Sequence, residues 1–290
     1  MTEPTPWRRR LRRSLSASLL LTFVAVQAAI AGIVKPRAGR TEAPDVDLVP
    51  RPTIEARLRA ARGDNAGREA AIEQFFRQAG CPQVTEQPVS RQPLPNVVCT
   101  LPGSTGSVII VGGHIDKVRK GQGVIDNWSG ASLLPSLLES VRNKPRRHTF
   151  VFIGFTAEER GLVGSKYYAK HLTPAQVASV HAMINLDSLA LGPTEVWLRH
   201  SDRRLAEVFY EVARSVQLPV QAFDPGDADD DSEPFIKLRV PTLMVHSVTN
   251  QTWHVLHSTD DNLHAVRLSD YYDTYRLLAD YLGVIDTQLD

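Results

Sequence analysis

The chain has 290 residues, of which 42% are apolar and 22% are charged, a composition that is ordinary for a globular protein of one large domain or two small ones. Its net charge of +1 is unevenly distributed: residues 1–40 contain eight basic residues and one acidic residue, so they carry +7 and the remainder carries −6. The remainder has no stripe of Lys and Arg interleaved with aromatic residues, so nucleic acid is excluded as an expected partner.

The N-terminal segment, residues 1–40, has the pattern of an export signal or a membrane anchor followed by the start of a linker. A basic head, RRRLRR over residues 8–13, precedes an uncharged stretch over residues 14–34. That stretch is just long enough to cross a bilayer, while Ala29-Ile30-Ala31 offers a cleavage site, so a signal anchor and a cleaved signal peptide both fit. In either case we expect the rest of the chain to be exported to a periplasmic or extracellular location, attached to the membrane if the segment is not cleaved.

The remaining residues predict alternating strands and helices. After a proline-containing linker, helices are expected between Ile54 and Phe76, with a break near Gly63 and an end at Gly80. Strands are then predicted at 84–90, 96–101, 107–113, 148–155, 181–186, 195–200 and 241–247, and helices at about 130–141, 162–172, 203–216 and 269–282. Continuous apolar strands that alternate with amphipathic helices predict an α/β fold, with three α/β/α layers around a central mixed, mostly parallel sheet.

The only two cysteines of the sequence, Cys81 and Cys99, flank a predicted hairpin. An oxidising compartment would permit a disulfide between them, but two small buried apolar residues would fit the sequence equally well. Two cysteines cannot form a four-cysteine zinc site.

Polar residues follow the apolar strands at the positions where the strands end. In open α/β sheets the chemistry gathers at these carboxyl ends. Each residue alone has a structural explanation, such as a helix N-cap or a favourable contact with a helix dipole. Together, however, so many carboxylates at one sheet edge would repel one another without cations, and oxygen and nitrogen ligands of this kind suit zinc. These residues are His114, Asp116, Asp126, Glu158, Glu159, Asp187, His254 and His257.

The charges of the carboxylates favour two metal ions. Asp126, Glu159 and Asp187 sum to −3, so two Zn²⁺ and one hydroxide leave a neutral centre that can be buried. Glu158 then remains uncoordinated and can act as the general base on metal-activated water.

The ordered segments GGHID, VIDNWSG, FTAEERGLVGS, INLDS and LHSTDDN resemble metallopeptidase family 28, the bacterial leucyl aminopeptidase group with two bridged zinc ions. The resemblance covers roughly residues 55 to 284, and we assign residues 51–284 to a catalytic domain. It implies one zinc on His114 and Asp187, a second on Glu159 and His257, and Asp126 as the bridge. It also implies that Asp116 orients His114 and that a cis peptide follows Asp126.

Two positions leave alternatives open. His254 lies one turn before His257 and could compete as a ligand, but only His257 is followed by the STDDN that matches the family. The segment DDDSEPF, residues 229–235, stands where relatives carry an aspartate–histidine pair, and Ser232 takes the place of the histidine. With Asp224 and Asp227 this segment is strongly acidic, and both a solvated loop and a functional role for Asp231 fit the sequence.

The leading functional hypothesis is a zinc exopeptidase of the aminopeptidase type, which removes N-terminal residues from peptides with a free N-terminus. An alternative is an enzyme similar to glutaminyl-peptide cyclotransferases, which use a single zinc and share the DDxxPF pattern found at residues 230–235. A non-catalytic, peptidase-like ectodomain is a third possibility. The full set of five ligands and the base favours the peptidase.

Serine hydrolysis is disfavoured because the sequence has no G-x-S-x-G motif. An apolar pocket for the N-terminal side chain is one interpretation of Leu189, Phe235, Trp253 and Leu256, and a place in the core is the other.

Overall fold

The computed structural model describes residues 46–226 and 228–289. The predicted export or anchor segment, residues 1–40, lies outside this range, as does Asp227 of the acidic segment. Within the described range no helix combines the length and the apolar character needed to span a membrane.

Within residues 46–226 and 228–289, eight strands form one mixed sheet. Parallel pairing joins the four strands in its centre, β4, β3, β5 and β8, whereas β1, β2 and β6 are joined to their inner neighbours in antiparallel fashion. The order across the sheet is β1-β2-β4-β3-β5-β8-β6-β7. The strands are β1 Gln83–Gln87, β2 Asn96–Leu101, β3 Val108–His114, β4 Thr149–Phe155, β5 Val180–Leu186, β6 Thr194–Val196, β7 Val220–Ala222 and β8 Thr242–His246.

Helices cover both faces of this sheet. They are α1 Arg51–Arg59, α2 Asn65–Gln78, α3 Ser129–Val141, α4 Val163–Lys170, α5 Pro174–Ser179, α6 Arg203–Ser215, α7 Glu233–Lys237 and α8 Leu268–Gln288. Local sequence signals fix several of their starts: Asp64 accepts a hydrogen bond from the Gly67 amide, Asp202 caps α6, and Thr173 and Gln176 form a capping box. Each such cap contributes roughly 1 kcal/mol to stability.

The alternation of side chains along the strands creates two apolar cores. Ile109 and Val111 of β3 belong to the larger core, under α1, α2, α3, α6 and α8, whereas Ile110 between them belongs to a smaller core that includes residues of α4 and α7. In β4, Phe152 likewise belongs to the larger core and Ile153 to the smaller one. Burying a side chain of this size stabilises the fold by roughly 1.5–3 kcal/mol relative to its exposure. The predicted three-layer fold with a mixed, mostly parallel sheet is therefore confirmed.

Some predicted boundaries are wrong for identifiable reasons. The strand predicted at 195–200 ends at Val196, because Leu198–His200 form a short helical turn. The strand predicted at 84–90 ends at Gln87, directly before Pro88, which cannot donate a hydrogen bond to the sheet. The last helix continues past Leu282 to Gln288. The sequence prediction also lacks α5, α7 and β7, each of which has six residues or fewer and so gives only a weak periodic pattern.

Cys81 and Cys99 form a disulfide, which resolves the alternative that the sequence leaves open. Cys81 follows the end of α2, and Cys99 is fully buried in β2, where it pairs with Val84 of β1. The bond therefore ties the end of a helix to the sheet across a sequence separation of 18 residues.

Removing this bond is expected to destabilise the protein. Because a closed loop of about this length restricts the unfolded chain, the double variant Cys81→Ser/Cys99→Ser is expected to lose roughly 3 kcal/mol in the free energy of unfolding. Urea denaturation of the wild type, with and without reductant, gives the comparison, and reductant should leave the double variant unchanged. Equal stability of oxidised and reduced wild type would contradict the expectation.

Candidate metal centre

The carboxyl ends of the four central parallel strands meet at one edge of the sheet and carry most of the predicted site residues there. His114 is the last residue of β3, the two glutamates follow β4 in a short helical turn, and Asp187 directly follows β5. The chain beyond β8 supplies His257. The structure thus brings together His114, Asp116, Asp126, Glu158, Glu159, Asp187 and His257.

Asp126 lies between the two imidazole rings. Its Oδ1 is 3.1 Å from Nε2 of His114, and its Oδ2 is 3.1 Å from Nε2 of His257. On one side Asp187 Oδ1 lies 3.6 Å from the His114 nitrogen, and on the other Glu159 Oε2 lies 3.0 Å from the His257 nitrogen. Two sets of possible metal ligands therefore share one carboxylate, and within each set the ligand atoms lie within 4.8 Å of one another.

His254 does not join either set. It lines the adjacent cavity, and of the two histidines in this loop only His257 contacts the carboxylates. The side chain of His257 is 57% exposed, so this half of the cluster opens to solvent while the His114 half is buried.

The two adjacent glutamates are held by a third carboxylate. The amide of Glu158 donates to Oδ1 of Asp116 at 2.9 Å, and the amide of Glu159 donates to Oδ2 at 3.3 Å. The turn directs the neighbouring side chains to different partners, since Glu158 Oε2 is 3.9 Å from His114 whereas Glu159 contacts His257.

Asp116 also fixes the ring of His114. The Nδ1 nitrogen of His114 lies 3.1 Å from the main-chain carbonyl of Asp116, and the Asp116 carboxylate lies 3.6 Å from the same nitrogen. With Nδ1–H donating to this carbonyl, Nε2 is the nitrogen that faces Asp126 and Asp187. The orienting contact thus involves the Asp116 backbone as well as its side chain.

Asn127 joins the bridging aspartate to the segment that carries Asp187. A cis peptide links Asp126 to Asn127, as the family resemblance implies. The Asn127 side chain donates to the Leu186 carbonyl at 2.8 Å and accepts from the Ser188 amide at 3.2 Å. The close approach of α3 requires glycine at 130, because a Cβ there would lie 2.3 Å from the Leu186 carbonyl oxygen.

Asp261 supports the bridging residue from the other side, and sequence reasoning missed it. Its carboxylate accepts from the amide of Ile125 at 2.7 Å and from the amide of Asp126 at 3.3 Å. The residue lies in the quoted LHSTDDN segment, four positions after His257, so one short segment supplies both a candidate ligand and a support for the bridge. The sequence therefore contained a signal for Asp261, but its contact with the backbone of Asp126 is evident only from the folded structure.

Left-handed backbone conformations occur at this edge. Ala157 precedes the two glutamates with φ 55°, Ser188 follows Asp187 with φ 55°, and His257 itself has φ 56°. Residues with a Cβ rarely adopt such angles, and they concentrate at functional sites, where the surrounding structure holds them.

The pKa values show a strong excess of negative charge. Although burial by itself would lower it, the pKa of His114 is raised well above its usual value by the charges of Asp187 and Glu158. Hydrogen bonds to Asp126 and Glu159 raise the pKa of His257 to about 10. Burial raises the pKa of Glu158 to about 9, and neighbouring carboxylates add to this effect. Without other cations, protons on the imidazoles supply the compensating charge.

The donor set fits metal ions that bind oxygen and nitrogen. Oε1 of Glu159 is buried and has no hydrogen-bond partner among the described residues, although a buried polar atom without a partner costs free energy. Cations between the carboxylates and the imidazoles would pair this oxygen and remove the repulsion. Imidazole and carboxylate ligands in a buried, preformed arrangement are typical of zinc sites.

A buried arginine lies behind the cluster. Arg68 is fully buried on the inner face of α2, in line with Ile72 and Phe76 one and two turns later. Its guanidinium donates to the carbonyl of Ile115 and, at 2.9 Å, to that of Gly123, so it holds both ends of the loop between β3 and the bridging residue.

No described carboxylate bonds directly to the Arg68 guanidinium, which lies 5.2 Å from the ring centroid of Trp128. Burial lowers the pKa of Arg68 to about 10, and the charges of Asp126 and Asp116 oppose this shift, so the side chain stays protonated at neutral pH. A charged position in an otherwise apolar i, i+4, i+8 stripe is the sequence signal that could have identified it.

A cavity of about 560 Å³ opens beside the cluster. His114, Asp126, Glu158, Glu159, Asp187 and His257 line its polar end. Its apolar wall includes Trp197, Met244, Val248, Trp253 and Leu256. Of the four pocket candidates from the sequence, Trp253 and Leu256 line it, whereas Leu189 and Phe235 are fully buried in the core.

The acidic segment divides into an exposed part and a buried part. Asp224 is exposed and pairs with Arg199 at 3.2 Å, as expected of a solvated loop. Asp231 is instead fully buried, and its oxygens have no partner of good hydrogen-bond geometry among the described residues. Burial raises its pKa to about 7, because the opposing effects of His114 and the Ser165 hydroxyl are too small to offset it.

In the DDDSEPF segment Asp230 pairs with a histidine that is distant in the sequence, His200. Asp230 accepts from the Ser232 amide at 2.7 Å, and its Oδ2 lies 2.5 Å from Nδ1 of His200. The His200 ring stacks on Trp197 with 3.7 Å between centroids, so this buried aspartate supports the aromatic wall of the cavity.

The sequence model of Peptidase family M28 matches residues 96–281, more than half of the chain. The chain belongs to peptidase family M28. The family resemblance inferred from the five sequence segments is thereby confirmed.

Curated proteins match part of the chain. Leupeptin-inactivating enzyme 1 of Streptomyces exfoliatus is 31% identical over 150 residues, which are 50% of this chain and 34% of that enzyme. The probable leucine aminopeptidase 2 of Aspergillus oryzae is 27% identical over 163 residues, 51% of this chain and 32% of that protein. The chain thus spans about a third of the length of these relatives.

Solved structures share the fold. LapB from Legionella pneumophila superposes with a TM-score of 0.68 at 22% identity, covering 81% of this chain and 70% of that chain. A glutaminyl cyclase from an Acidobacteriales bacterium superposes with a TM-score of 0.70 at 17% identity, covering 88% of this chain and 100% of its own. At these identities the likeness concerns the fold alone.

The role of Arg68 can be tested through stability. Arg68→Met removes the donors to Ile115 and Gly123 and leaves buried carbonyls unpaired, so we expect a loss of roughly 2–4 kcal/mol in the free energy of unfolding. Arg68→Lys keeps the charge and one donor and should lose less. Arg77→Met, at an exposed position of the same helix, is the control and should change stability by no more than about 0.5 kcal/mol. Urea denaturation of the three variants measures this, and wild-type stability of Arg68→Met would refute the role.

Proposed function

We propose that this protein is a zinc-dependent aminopeptidase that removes N-terminal residues from peptides and holds two zinc ions per chain. The observation that carries the proposal is the position of Asp126, whose two oxygens face two separate sets of imidazole and carboxylate ligands. A single metal ion would use only one of these two ligand sets, whereas a pair of ions would use both and share the carboxylate.

In this proposal His114 and Asp187 hold one ion, Glu159 and His257 hold the other, and Asp126 is shared. Zinc bound there supplies a Lewis acid that polarises the scissile carbonyl and makes water a stronger nucleophile at neutral pH. Asp116 keeps His114 in the orientation that points Nε2 inward, and it holds the turn that carries both glutamates.

Glu158 is proposed as the general base. Its side chain lies beside His114 but belongs to neither set around Asp126. Glu158 lies beside His114, so its carboxylate can take a proton from water held at the cluster. The same group can then pass this proton to the leaving amine.

The charges around the cavity favour a substrate with a free amine. Glu158 and Asp229 line it and belong to neither proposed zinc site, so a protonated N-terminus finds carboxylates there that the zinc ions do not neutralise. The apolar wall formed by Trp197, Met244 and Leu256 suits the side chain of the N-terminal residue. The names of the curated relatives, among them leucine aminopeptidase 2 and an aminopeptidase of Pseudomonas aeruginosa, also support this activity.

A glutaminyl cyclase is the second candidate. One observation favours it, the DDxxPF pattern at residues 230–235. The second ligand set, on Glu159 and His257, favours the peptidase, because a single-zinc enzyme does not need it.

We also propose export from the cytoplasm, on the basis of the basic head and the apolar stretch in residues 8–34.

The activity is tested with paired substrates. The protein is expected to hydrolyse leucinamide and to ignore N-acetyl-leucinamide, since the acetyl group removes the charge that the cavity attracts. A zinc chelator should abolish the activity, and added zinc should restore it. Cyclisation of a glutaminyl peptide without hydrolysis of leucinamide would support the cyclase instead. Equal cleavage of both leucine substrates would rule out the aminopeptidase.

The two adjacent glutamates should respond differently to the same substitution. Glu158→Gln removes the proton acceptor and keeps both ligand sets, so zinc content should stay constant while turnover falls by roughly 10²- to 10⁴-fold. Glu159→Gln should lower zinc content, with partial recovery of turnover in added zinc. Elemental analysis beside kinetics measures both quantities. Loss of zinc from Glu158→Gln alone would reverse the assigned roles.

A further inference from the structure

A second cavity of about 500 Å³ lies next to the cluster. It is lined by residues 63–65, by Asp116 and the three residues that follow it, and by Glu159 and Arg160. Glu159 lines this cavity and the apolar-walled one, so both spaces border a candidate metal ligand. We call the second space the basic cavity because Lys117, Arg119 and Arg160 line it.

Two of these cations have charge available for a ligand. No described carboxylate forms an ion pair with Arg119 or Arg160, and Arg160 makes one long hydrogen bond of 3.3 Å, to Gln92. Lys117 differs, since its Nζ donates to the carbonyls of Val118 and Gly121 at 2.8 and 3.1 Å.

The acidic residues of the same walls are already engaged. Asp64 accepts from the Gly67 amide at 2.7 Å as the cap of α2, Asp116 accepts from the two glutamate amides, and Glu159 contacts His257. These contacts hold the three carboxylates in place and leave Arg119 and Arg160 without an ion-pair partner among the described residues. Arginine side chains bind carboxylates with paired, charge-assisted hydrogen bonds.

The position of the cavity relates it to the substrate. An aminopeptidase holds one residue on the amino side of the scissile bond, and the apolar-walled cavity provides that space. The remainder of the peptide has to leave the metal cluster on another side. Past Glu159 the walls change from aromatic and apolar to basic.

We propose that the basic cavity binds the part of the peptide that follows the scissile bond, with Arg119 and Arg160 binding its carboxylates. This inference rests on the proposed aminopeptidase function. The carboxylate has two possible sources: the free C-terminus of a short peptide, or an Asp or Glu side chain shortly after the scissile bond. The protein then acts best on short or acidic peptides.

Four peptides distinguish these sources. Leucyl-glycyl-glycine is compared with its C-terminal amide, and leucyl-glutamyl-glycinamide with leucyl-glutaminyl-glycinamide. For the wild type we expect kcat/KM to be roughly 3- to 10-fold higher for the charged member of at least one pair, as suits two partly exposed ion pairs. This preference should shrink between about 0.02 and 0.5 M salt, since exposed charges are screened.

Variants test whether the preference for the charged peptide arises in the basic cavity. In Arg119→Gln/Arg160→Gln the ratio within the preferred pair should fall to about one. Arg214→Gln, at an exposed position of α6 outside both cavities, is the matched control and should keep the wild-type ratio. Both altered arginines are exposed, and thermal unfolding of each variant checks that the fold is retained.

The outcomes separate this inference from the function on which it rests. Hydrolysis of leucinamide by the wild type with ratios near one in both pairs would overturn the inference and keep the aminopeptidase. A charge preference that survives in Arg119→Gln/Arg160→Gln would also overturn it, because the carboxylate would then bind elsewhere. No hydrolysis of leucinamide or of any of the four peptides would overturn both.

Discussion

The repulsion among carboxylates at one edge of the sheet is the constraint on which the site depends. Asp126, Glu159 and Asp187 gather around two imidazoles in a largely buried space, and such an arrangement is stable only if positive charge compensates it. Protons on the histidines supply part of this charge, and Arg68 supplies a fixed charge from behind. Metal ions bound by the neutral imidazoles would replace these protons as the compensating charge, and they would also give the cluster a chemical use.

Much of the surrounding structure can be understood as holding this cluster in place. Parallel pairing of β4, β3, β5 and β8 brings the strand ends to one edge, and short polar contacts then fix each loop. Asn127 connects the bridging residue to the Asp187 segment, and Asp261 holds the bridging residue by its amide. These supports are side chains bound to backbone groups, so they position the candidate ligands without occupying the imidazole and carboxylate atoms that face one another in the cluster. Two cavities with walls of different character then meet at Glu159.

The sequence predicts those features that depend on local pattern. Apolar strands end at or within three residues of His114, Glu158 and Asp187, and parallel pairing brings these strand ends to one edge of the sheet. Both the fold and the members of the cluster were therefore predictable. The sequence does not predict contacts between residues far apart in the chain. Arg68 reaches the loop after β3 across 47 residues, and Asp261 reaches the Asp126 amide across 135. Short edge elements such as β7 also escape prediction, because three residues carry too little periodicity.

The central claim is that one carboxylate is shared by two metal ions. Crystals grown with zinc and measured on both sides of the zinc absorption edge test it most directly, because anomalous difference maps locate each ion without assumptions about activity. We expect two peaks: one between His114 and Asp187, the other between Glu159 and His257, and both next to Asp126. A single peak at saturating zinc, or peaks away from Asp126, would contradict the account.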